Sequence, residues 1–282
     1  MIKLNELERI NSPEEMRDFL ERKGRNHNYY YHYTTLNSFQ KICANQSFLL
    51  SRGNSQKIND QHEATMKGSY AEWNKTFFAS FSYGSSENMA MWALYGIPWS
   101  KAIRIAIPQK AMVQWLESIK EIGVWAVTNE TCIPEKIIPS YKCLNDIVYV
   151  RGEKGDERFK VFHSGATRVI DNEGTFNKFD ERECMTGYVK NYAWHYENEV
   201  RLKISVPDGV YAEKIVVDIP DAILTQCTIM TGPCFDNSND SFINQMVSRF
   251  TFEKSGFDRL VRFRTICDLC EHKHFVEAKE QR

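Results

Sequence analysis

Charged and apolar side chains alternate in the segment WHYENEVRLKI, residues 194–204. In a β-strand, alternate side chains lie on the same face, so the apolar residues can enter a core while the charged ones share the other side. The charged row consists of Glu197, Glu199, Arg201 and Lys203. Two carboxylates so placed can divide the work of electrostatic stabilisation and proton transfer. A solvated strand face explains the same pattern without any chemistry.

Arg201 has two possible roles on that face. It can pair with Glu199 and keep the carboxylate ionised, or it can bind a phosphate group. A purely structural ion pair explains the same two residues equally well. Much earlier in the sequence, His32 can give or accept a hydrogen bond near neutral pH, and Thr34, two residues on, adds a hydroxyl on the same face. A single histidine on a strand is more often a core residue with satisfied hydrogen bonds.

Length and composition indicate a globular protein. The chain has 282 residues, 42% of them hydrophobic, which is enough for a substantial core. Its 36 basic and 37 acidic residues give a formal net charge of -1. The overall charge therefore carries no signature of a nucleic-acid or membrane-surface binder, although a local basic cleft is compatible with it.

The N-terminal sequence and the cysteines predict a cytoplasmic protein with no membrane partner. Residues 1–20 alternate charged and apolar side chains, whereas a signal peptide or membrane span needs a continuous apolar stretch. Without a secretory signal, eight cysteines in a chain of this size favour reduced thiols over disulfides. We therefore expect a reducing compartment.

The C-terminal segment CDLCEHKH contains four side chains of the types that bind zinc, namely Cys267, Cys270, His272 and His274. Structural zinc sites usually join two ligand pairs across a longer loop, whereas here the second pair follows almost at once. The spacing favours a polar tail, and we predict no metal site.

Apolar periodicity predicts strands and helices in mixed order. Ser12-Pro13-Glu14-Glu15 has the pattern of a helix start. Strands are predicted at residues 27–35, 47–51, 76–84, 101–108, 124–127, 147–150, 194–204, 213–219, 227–233 and 259–266. Further helices are predicted after residue 35, at 86–96 with Ser85 or Ser86 as the cap and Gly96 as the end, and at 110–122, 179–191 and 238–250. We expect a helical appendage over residues 1–27 and a single α+β domain over residues 28–282.

Five short motifs occur in an order that resembles the bacterial domain-of-unknown-function family numbered 2971. They are HYTT, INDQHE, SFS, MWALYG and YENEVR, and the resemblance covers roughly residues 30–266. INDQHE departs from the usual Phe-Asn-Asp-Pro-Phe-Glu of that family but keeps Asn59, Asp60 and Glu63. The family is in turn similar to ADP-ribosyltransferases. For this chain, the resemblance therefore implies an ADP-ribosyltransferase-like α+β fold with split mixed and antiparallel sheets and flanking helices.

The resemblance implies a cleft with three contributions: a histidine from the first strand, a serine or tyrosine from a middle strand and a glutamate from a later strand. The first and third correspond to His32 and to Glu197 or Glu199, the implied catalytic residues. Breaking the nicotinamide-ribose bond of NAD develops positive charge on the ribose, which a carboxylate stabilises. We assign this role to Glu199, nearer the strand interior, and assign contact with the acceptor or its deprotonation to Glu197.

The resemblance also implies which residues hold NAD, the co-substrate. The middle motif offers Ser80, Ser82 or Tyr83, and the ring of Tyr83 can stack on nicotinamide. The implied NAD-binding set is His32, Thr34, Ser82, Tyr83 and Arg201.

The implied function is NAD-dependent ADP-ribosylation, as in bacterial toxins of toxin–antitoxin or phage-defence systems, with an antitoxin as a possible partner. RNA or DNA ranks slightly ahead of protein as the acceptor. A nucleic-acid groove can be built from basic and aromatic side chains, here Arg151, Lys154, Arg158, Lys160 and Arg168 with Tyr149, Phe159 and Phe162; a solvated charged loop is the other explanation. Two further functions remain open: a non-catalytic nucleotide- or partner-binding sensor, and an NAD glycohydrolase.

Overall fold

The computed structural model describes residues 10, 13–53, 70–84, 87–126, 135–151, 159–163, 166–170, 186–236, 238 and 240–259. Its α-helices are α1 Pro13–Gly24, α2 Leu36–Asn45, α3 Tyr70–Lys75, α4 Met89–Tyr95, α5 Gln109–Ser118, α6 Asp221–Leu224 and α7 Asp240–Met246. Its strands are β1 Tyr29–Thr35, β2 Ser47–Arg52, β3 Thr76–Ser82, β4 Ala102–Pro108, β5 Ile122–Ala126, β6 Glu135–Ile137, β7 Tyr141–Asp146, β8 Val148–Arg151, β9 Phe159–His163, β10 Ala166–Ile170, β11 Val189–Asn191, β12 Glu199–Ser205, β13 Ala212–Asp218, β14 Thr228–Thr231 and β15 Thr251–Lys254.

The strands form two sheets in a mixed α+β arrangement. The larger sheet has the order β15-β14-β4-β1-β3-β2-β13-β5-β6, and β12 is bonded to β3 on one side and to β7 on the other. The smaller sheet has the order β10-β9-β8-β11. Within the described residues only β14 with β15 and β8 with β11 pair in parallel. The predicted α+β class is confirmed, with a mixed, largely antiparallel sheet and flanking helices. The split of the sheets implied by the resemblance to ADP-ribosyltransferases stays a prediction.

Strand β3 is the point where the large sheet opens. β12 pairs with β3 along its whole length. The other edge of β3 is shared, because β1 pairs with it at Ser82 and β2 pairs with it at Phe77 and Phe78. Between these two pairings, the Ser80 carbonyl accepts a hydrogen bond of 3.0 Å from Nδ1 of His32. The imidazole thus takes the place of a strand partner where β1 and β2 diverge.

The two faces of the large sheet differ in character. The face that we call the core face carries Tyr30, Phe81 and Leu202 and is covered by α2 and α5 through buried residues that include Phe39 and Trp115. The opposite face, which we call the polar face, carries the register partners of Ser82, namely Tyr31 on β1 and Glu199 on β12. Directly opposed residues share a face, so the register fixes which side chains can meet.

The N-terminal helix packs on strand β7. Met16, Phe19 and Leu20 are buried, and the Glu21 carboxylate accepts hydrogen bonds from the hydroxyls of Tyr141 and Tyr188. Pro13 is the first helical residue, as predicted, while Ser12 lies outside the described residues. The predicted domain boundary between residues 27 and 28 stays a prediction.

Several predicted elements need correction. The predicted helix over residues 179–191 is wrong at its end, where residues 189–191 form β11, and the part before residue 186 lies outside the described residues. The cap of α4 is Asn88, whose side chain accepts hydrogen bonds from the next turn, and not Ser85 or Ser86. Strands β7 and β15 were not predicted. The INDQHE loop and the cysteine-histidine segment lie outside the described residues. So does the strand predicted at 259–266, except for Arg259, which ends the 3-10 helix Gly256–Arg259.

Candidate functional site

A tight turn brings Glu197 and Glu199 to the same place. Residues Tyr192–Glu197 form a 3-10 helix and not the start of a strand, and Asn198 follows in the left-handed conformation with φ 44°. Because of this turn, both carboxylates reach the ammonium of Lys190 on β11. Nζ of Lys190 lies 2.5 Å from Oε2 of Glu197 and 3.1 Å from Oε2 of Glu199. One cation therefore bridges the two acids.

Glu199 has a donor at each of its acceptor positions. Oε1 accepts from the hydroxyl of Ser80 at 2.5 Å and from Nε of Arg201 at 2.8 Å. Oε2 accepts from Nη2 of Arg201 at 3.1 Å and from Lys190. A carboxylate offers about four lone-pair sites. A substrate can therefore bond to Glu199 only by displacing a donor already present.

The surroundings push the pKa values of the two acids apart. Burial alone would raise the pKa of Glu199, but the charges of Arg201 and Lys190 outweigh burial and hold that pKa well below its ordinary value. Burial and the neighbouring charge of Glu199 raise the pKa of Glu197, and Lys190 only partly opposes them. Glu197 also accepts a hydrogen bond of 2.7 Å from the hydroxyl of Tyr95. Such a separation of pKa values is typical of paired carboxylates with different roles.

The charged row is buried, so a solvated strand face is the wrong explanation for it. Glu199 is 3% exposed and Arg201 is 4% exposed. Ser80, in contrast, is exposed. Among the hydrogen-bond donors to Glu199, Ser80 is thus the one that faces solvent, and it marks the side from which a ligand can approach.

Lys203 belongs to the same charged row but contacts different residues. Its ammonium donates 2.8 Å to the carbonyl of Thr186 and lies 4.0 Å from the ring centre of Tyr188. Burial lowers its pKa to about 8. No hydrogen bond or ion pair between Lys203 and Glu197 or Glu199 is found in the described part of the chain. Lys203 therefore provides a buried cation on the same strand that does not act on the carboxylates.

The structure does not bring His32 and Thr34 to the carboxylates. Because Tyr31 shares the polar face with Glu199, the alternation of β1 places His32 and Thr34 on the core face. The His32 ring lies 5.5 Å from Phe48 and from Phe81. Burial lowers the pKa of His32, although its bond to the Ser80 carbonyl opposes this.

The predicted residues of the middle motif are divided between the faces. Ser82 is buried on the polar face, in register with Glu199. Tyr83 lies past the end of β3 and stacks on His27 with 3.9 Å between the ring centres. His27 in turn contacts the buried Asp146 on the core face, at 2.5 Å. Of the NAD-binding set that the resemblance implied, the structure brings Ser82 and Arg201 beside Glu199.

Three residues of the site were not predicted. Lys190 lies in a segment that was interpreted as a helix, and Tyr95 lies in the helix predicted over residues 86–96, which was given no role in the site. Tyr149 was expected to line a groove, but it is buried, and its hydroxyl accepts 2.8 Å from the N–H of Glu199. No local pattern marks Lys190. Tyr95 and Tyr149 are far from the acidic motif in sequence, so no local pattern marks them either.

The groove predicted from the remaining basic and aromatic residues stays a prediction. Lys154 and Arg158 lie outside the described residues, and of Lys160 and Arg168 only the strands β9 and β10 are described. In the described part of the chain no group of histidine, cysteine, aspartate and glutamate side chains is arranged to hold a metal ion, and no helix is long and apolar enough to cross a membrane. Cys267, Cys270, His272 and His274 lie outside the described residues.

Comparisons with known proteins return no match: neither a protein-family model, nor a curated protein, nor a solved structure matches the chain. The resemblance to family 2971 stays a prediction, and the functional argument depends on the site itself.

Proposed function

We propose that the protein is an NAD-dependent ADP-ribosyltransferase in which Glu199 stabilises the reacting ribose. One observation carries the proposal: a buried carboxylate, kept ionised by Arg201 and Lys190, contacts solvent through the hydroxyl of Ser80. A buried, ionised carboxylate is the group that stabilises an oxocarbenium-like transition state.

The reaction needs two functions from the protein. The bond between ribose C1′ and the nicotinamide nitrogen breaks, and its electron pair leaves with nicotinamide, which becomes neutral. The acceptor oxygen or nitrogen then bonds to C1′ and gives up a proton. Glu199 offsets the positive charge on the ribose, and Glu197, with its raised pKa, takes the proton from the acceptor.

Binding of the ribose exchanges one hydrogen bond for another. The Ser80 hydroxyl can rotate away at little cost because it is exposed, whereas Arg201 and Lys190 are buried donors. A ribose hydroxyl can then donate to Oε1 of Glu199 in place of Ser80. His32 acts indirectly in this scheme, since it holds the Ser80 carbonyl where the sheet opens.

The arrangement of strands also supports the proposal. The first, middle and late motifs of the resemblance lie on β1, β3 and β12, which are neighbours in the sheet. We propose RNA or DNA, ahead of protein, as the acceptor, and a role as a toxin or phage-defence effector that an antitoxin restrains.

The test uses NAD labelled in its adenine half, incubated with the full chain and, in separate tubes, RNA, single-stranded DNA, duplex DNA and cell-extract protein. We expect wild type to release nicotinamide and label one pool. Glu199→Gln should lower the rate about a hundredfold or more, while Lys203→Met, a buried change on the same face of β12, should keep it. Intact NAD in every tube contradicts the proposal, and so does an equal loss of reaction rate in Glu199→Gln and Lys203→Met.

A second candidate is a non-catalytic nucleotide-binding module. It is favoured by the complete set of hydrogen-bond donors around Glu199, because a carboxylate with every acceptor position occupied is typical of a structural ion pair. This candidate predicts that NAD raises the melting temperature without nicotinamide release. Ser80→Ala distinguishes the two candidate functions. It leaves the ion pair between Glu199 and Arg201 intact, but it removes the hydroxyl that the ribose must displace from Glu199. Free ADP-ribose without a labelled pool indicates a glycohydrolase.

A further inference from the structure

A second buried arginine lies on the polar face, away from the acidic pair. Arg104 is on β4, in register with Tyr33 on β1 and with Met230 on β14. It is 7% exposed. Its guanidinium carbon lies 4.4 Å from the ring centre of Tyr31 and 5.8 Å from that of Tyr33. Arg104 is therefore held against two aromatic rings.

No anion compensates this guanidinium within the described residues. Its Nε is fully buried and has no hydrogen-bond partner there. Glu253, on the strand next to Met230, is exposed and forms no ion pair with Arg104. Burying a charge without a counter-charge is costly, and contacts with aromatic rings return only part of the cost.

Arg201 shows what Arg104 lacks. Both arginines are buried on the same sheet face and both lie over an aromatic ring. Arg201 also has two bonds to the Glu199 carboxylate, at 2.8 and 3.1 Å. Such a paired oxyanion is the usual partner of a buried guanidinium. An oxyanion supplied by a ligand would pair with the guanidinium of Arg104 as the Glu199 carboxylate pairs with that of Arg201.

An aromatic platform adjoins Arg104. The rings of Tyr29 and Tyr31 are nearly parallel, with centres 6.1 Å apart and an angle of 21° between them. Tyr29 is 44% exposed. Tyr31, the ring that contacts Arg104, is partly buried. A pair of tyrosine rings beside a cation, one of them exposed, is typical of sites that stack a planar base and hold its phosphate.

We infer that Arg104 anchors a binding site for a nucleotide-type ligand, with the phosphate on the guanidinium and the base on Tyr29 and Tyr31. The site is separate from the acidic pair, because three strand spacings of about 4.8 Å lie between β4 and β12. It goes beyond the proposed function, since it requires no cleavage of NAD.

Calorimetric titration of the full chain with AMP, adenosine and inorganic phosphate tests the site. AMP should bind at least about tenfold more tightly than either fragment, because both contacts contribute. Arg104→Gln should weaken AMP binding about tenfold or more, and Arg104→Lys should also weaken it, because an ammonium lacks the fork that holds two oxygens. Tyr29→Ala should weaken AMP but leave phosphate unchanged.

Two control variants keep the inference falsifiable. Glu253→Gln alters a nearby exposed charge and should not weaken AMP binding. Lys203→Met, a buried change on β12 with no contact to Arg104, Tyr29 or Tyr31 among the described residues, should also leave AMP binding unchanged. AMP binding that is equal in wild type and Arg104→Gln, or phosphate binding as tight as AMP binding, overturns the inference. If Arg104→Gln does not fold, unaltered AMP binding by Tyr29→Ala overturns it equally.

Discussion

Replacing Lys190 by methionine removes the cation that, among the described residues, bridges Glu197 and Glu199. Methionine keeps most of the side-chain length, so the main change is the loss of an ammonium at 2.5 and 3.1 Å from two carboxylate oxygens. Removing one partner of a buried ion pair costs about 3–5 kcal/mol. Arg201 remains on Glu199, so we expect a loss near the lower limit, about 3 kcal/mol in the free energy of unfolding.

The loss should depend on pH in a defined direction. The pKa of Glu197 is already raised, which means that the folded chain binds this proton more readily than the unfolded chain does. Ionised Glu197 therefore lowers stability above its folded pKa, and protonation relieves this as the pH falls through that value. Without Lys190 the pKa of Glu197 should rise further. The deficit of the variant should thus be larger at pH 8 than at pH 5.

Urea unfolding at these two pH values measures the effect, with Lys203→Met as the matched control. Lys203 is a buried lysine on β12 whose described contacts do not include either carboxylate. Protonation of Glu197 at low pH should therefore not reduce the loss of unfolding free energy in Lys203→Met. An equal deficit for Lys190→Met at both pH values, or one below about 1 kcal/mol, would show that the two acids do not depend on this cation.

Two further perturbations test the frame that holds the site. Wild type should lose stability as the pH falls below about 6.5, because the lowered pKa of folded His32 means that the unfolded chain takes up the proton first. His32→Gln should abolish this loss. Urea unfolding from pH 5 to 8 measures the loss, and a pH profile that the variant leaves unchanged speaks against a lowered pKa of His32. Gly187→Ala should cost more than about 2 kcal/mol, since φ is +81° and a Cβ would lie 2.4 Å from the Phe78 ring. Gly209→Ala, with φ +83° and open space around it, is the control for backbone strain and should cost only about 1 kcal/mol; equal losses would refute the steric argument.

Strand periodicity predicted the elements that position the site. β1, β3 and β4 follow from their alternating or continuous apolar runs, and the apolar side of β12 is buried as the alternation required. Register could not be predicted in the same way, since a shift of one residue turns every side chain to the other face. For this reason the sequence gives no warning that His32 and Glu199 lie on opposite faces of the sheet.

Long-range pairing explains the other differences. Lys190 enters the site through β11, which pairs in parallel with β8 about forty residues earlier in the chain. β7 contains Lys142, Asn145 and Asp146 and has little strand character of its own, but it is bonded along β12. In both segments the partner strand determines the structure, and a single sequence does not identify that partner.

The burial of the charged row on β12 limits how the row can be explained. A strand covered on both sides usually reads as a continuous apolar run, and apolar residues in place of a buried ion pair are often equally or more stable. Stability alone therefore does not account for Glu199 and Arg201. Ordered pairing accounts for them in part, because the bond from Ser80 to Glu199 favours one register of β12 on β3, and Lys190 connects β12 to β11 of the smaller sheet. Pairing does not explain why Glu197, with its raised pKa, is added beside an acid that is already satisfied. A second carboxylate in that position costs stability and is useful where a proton has to move.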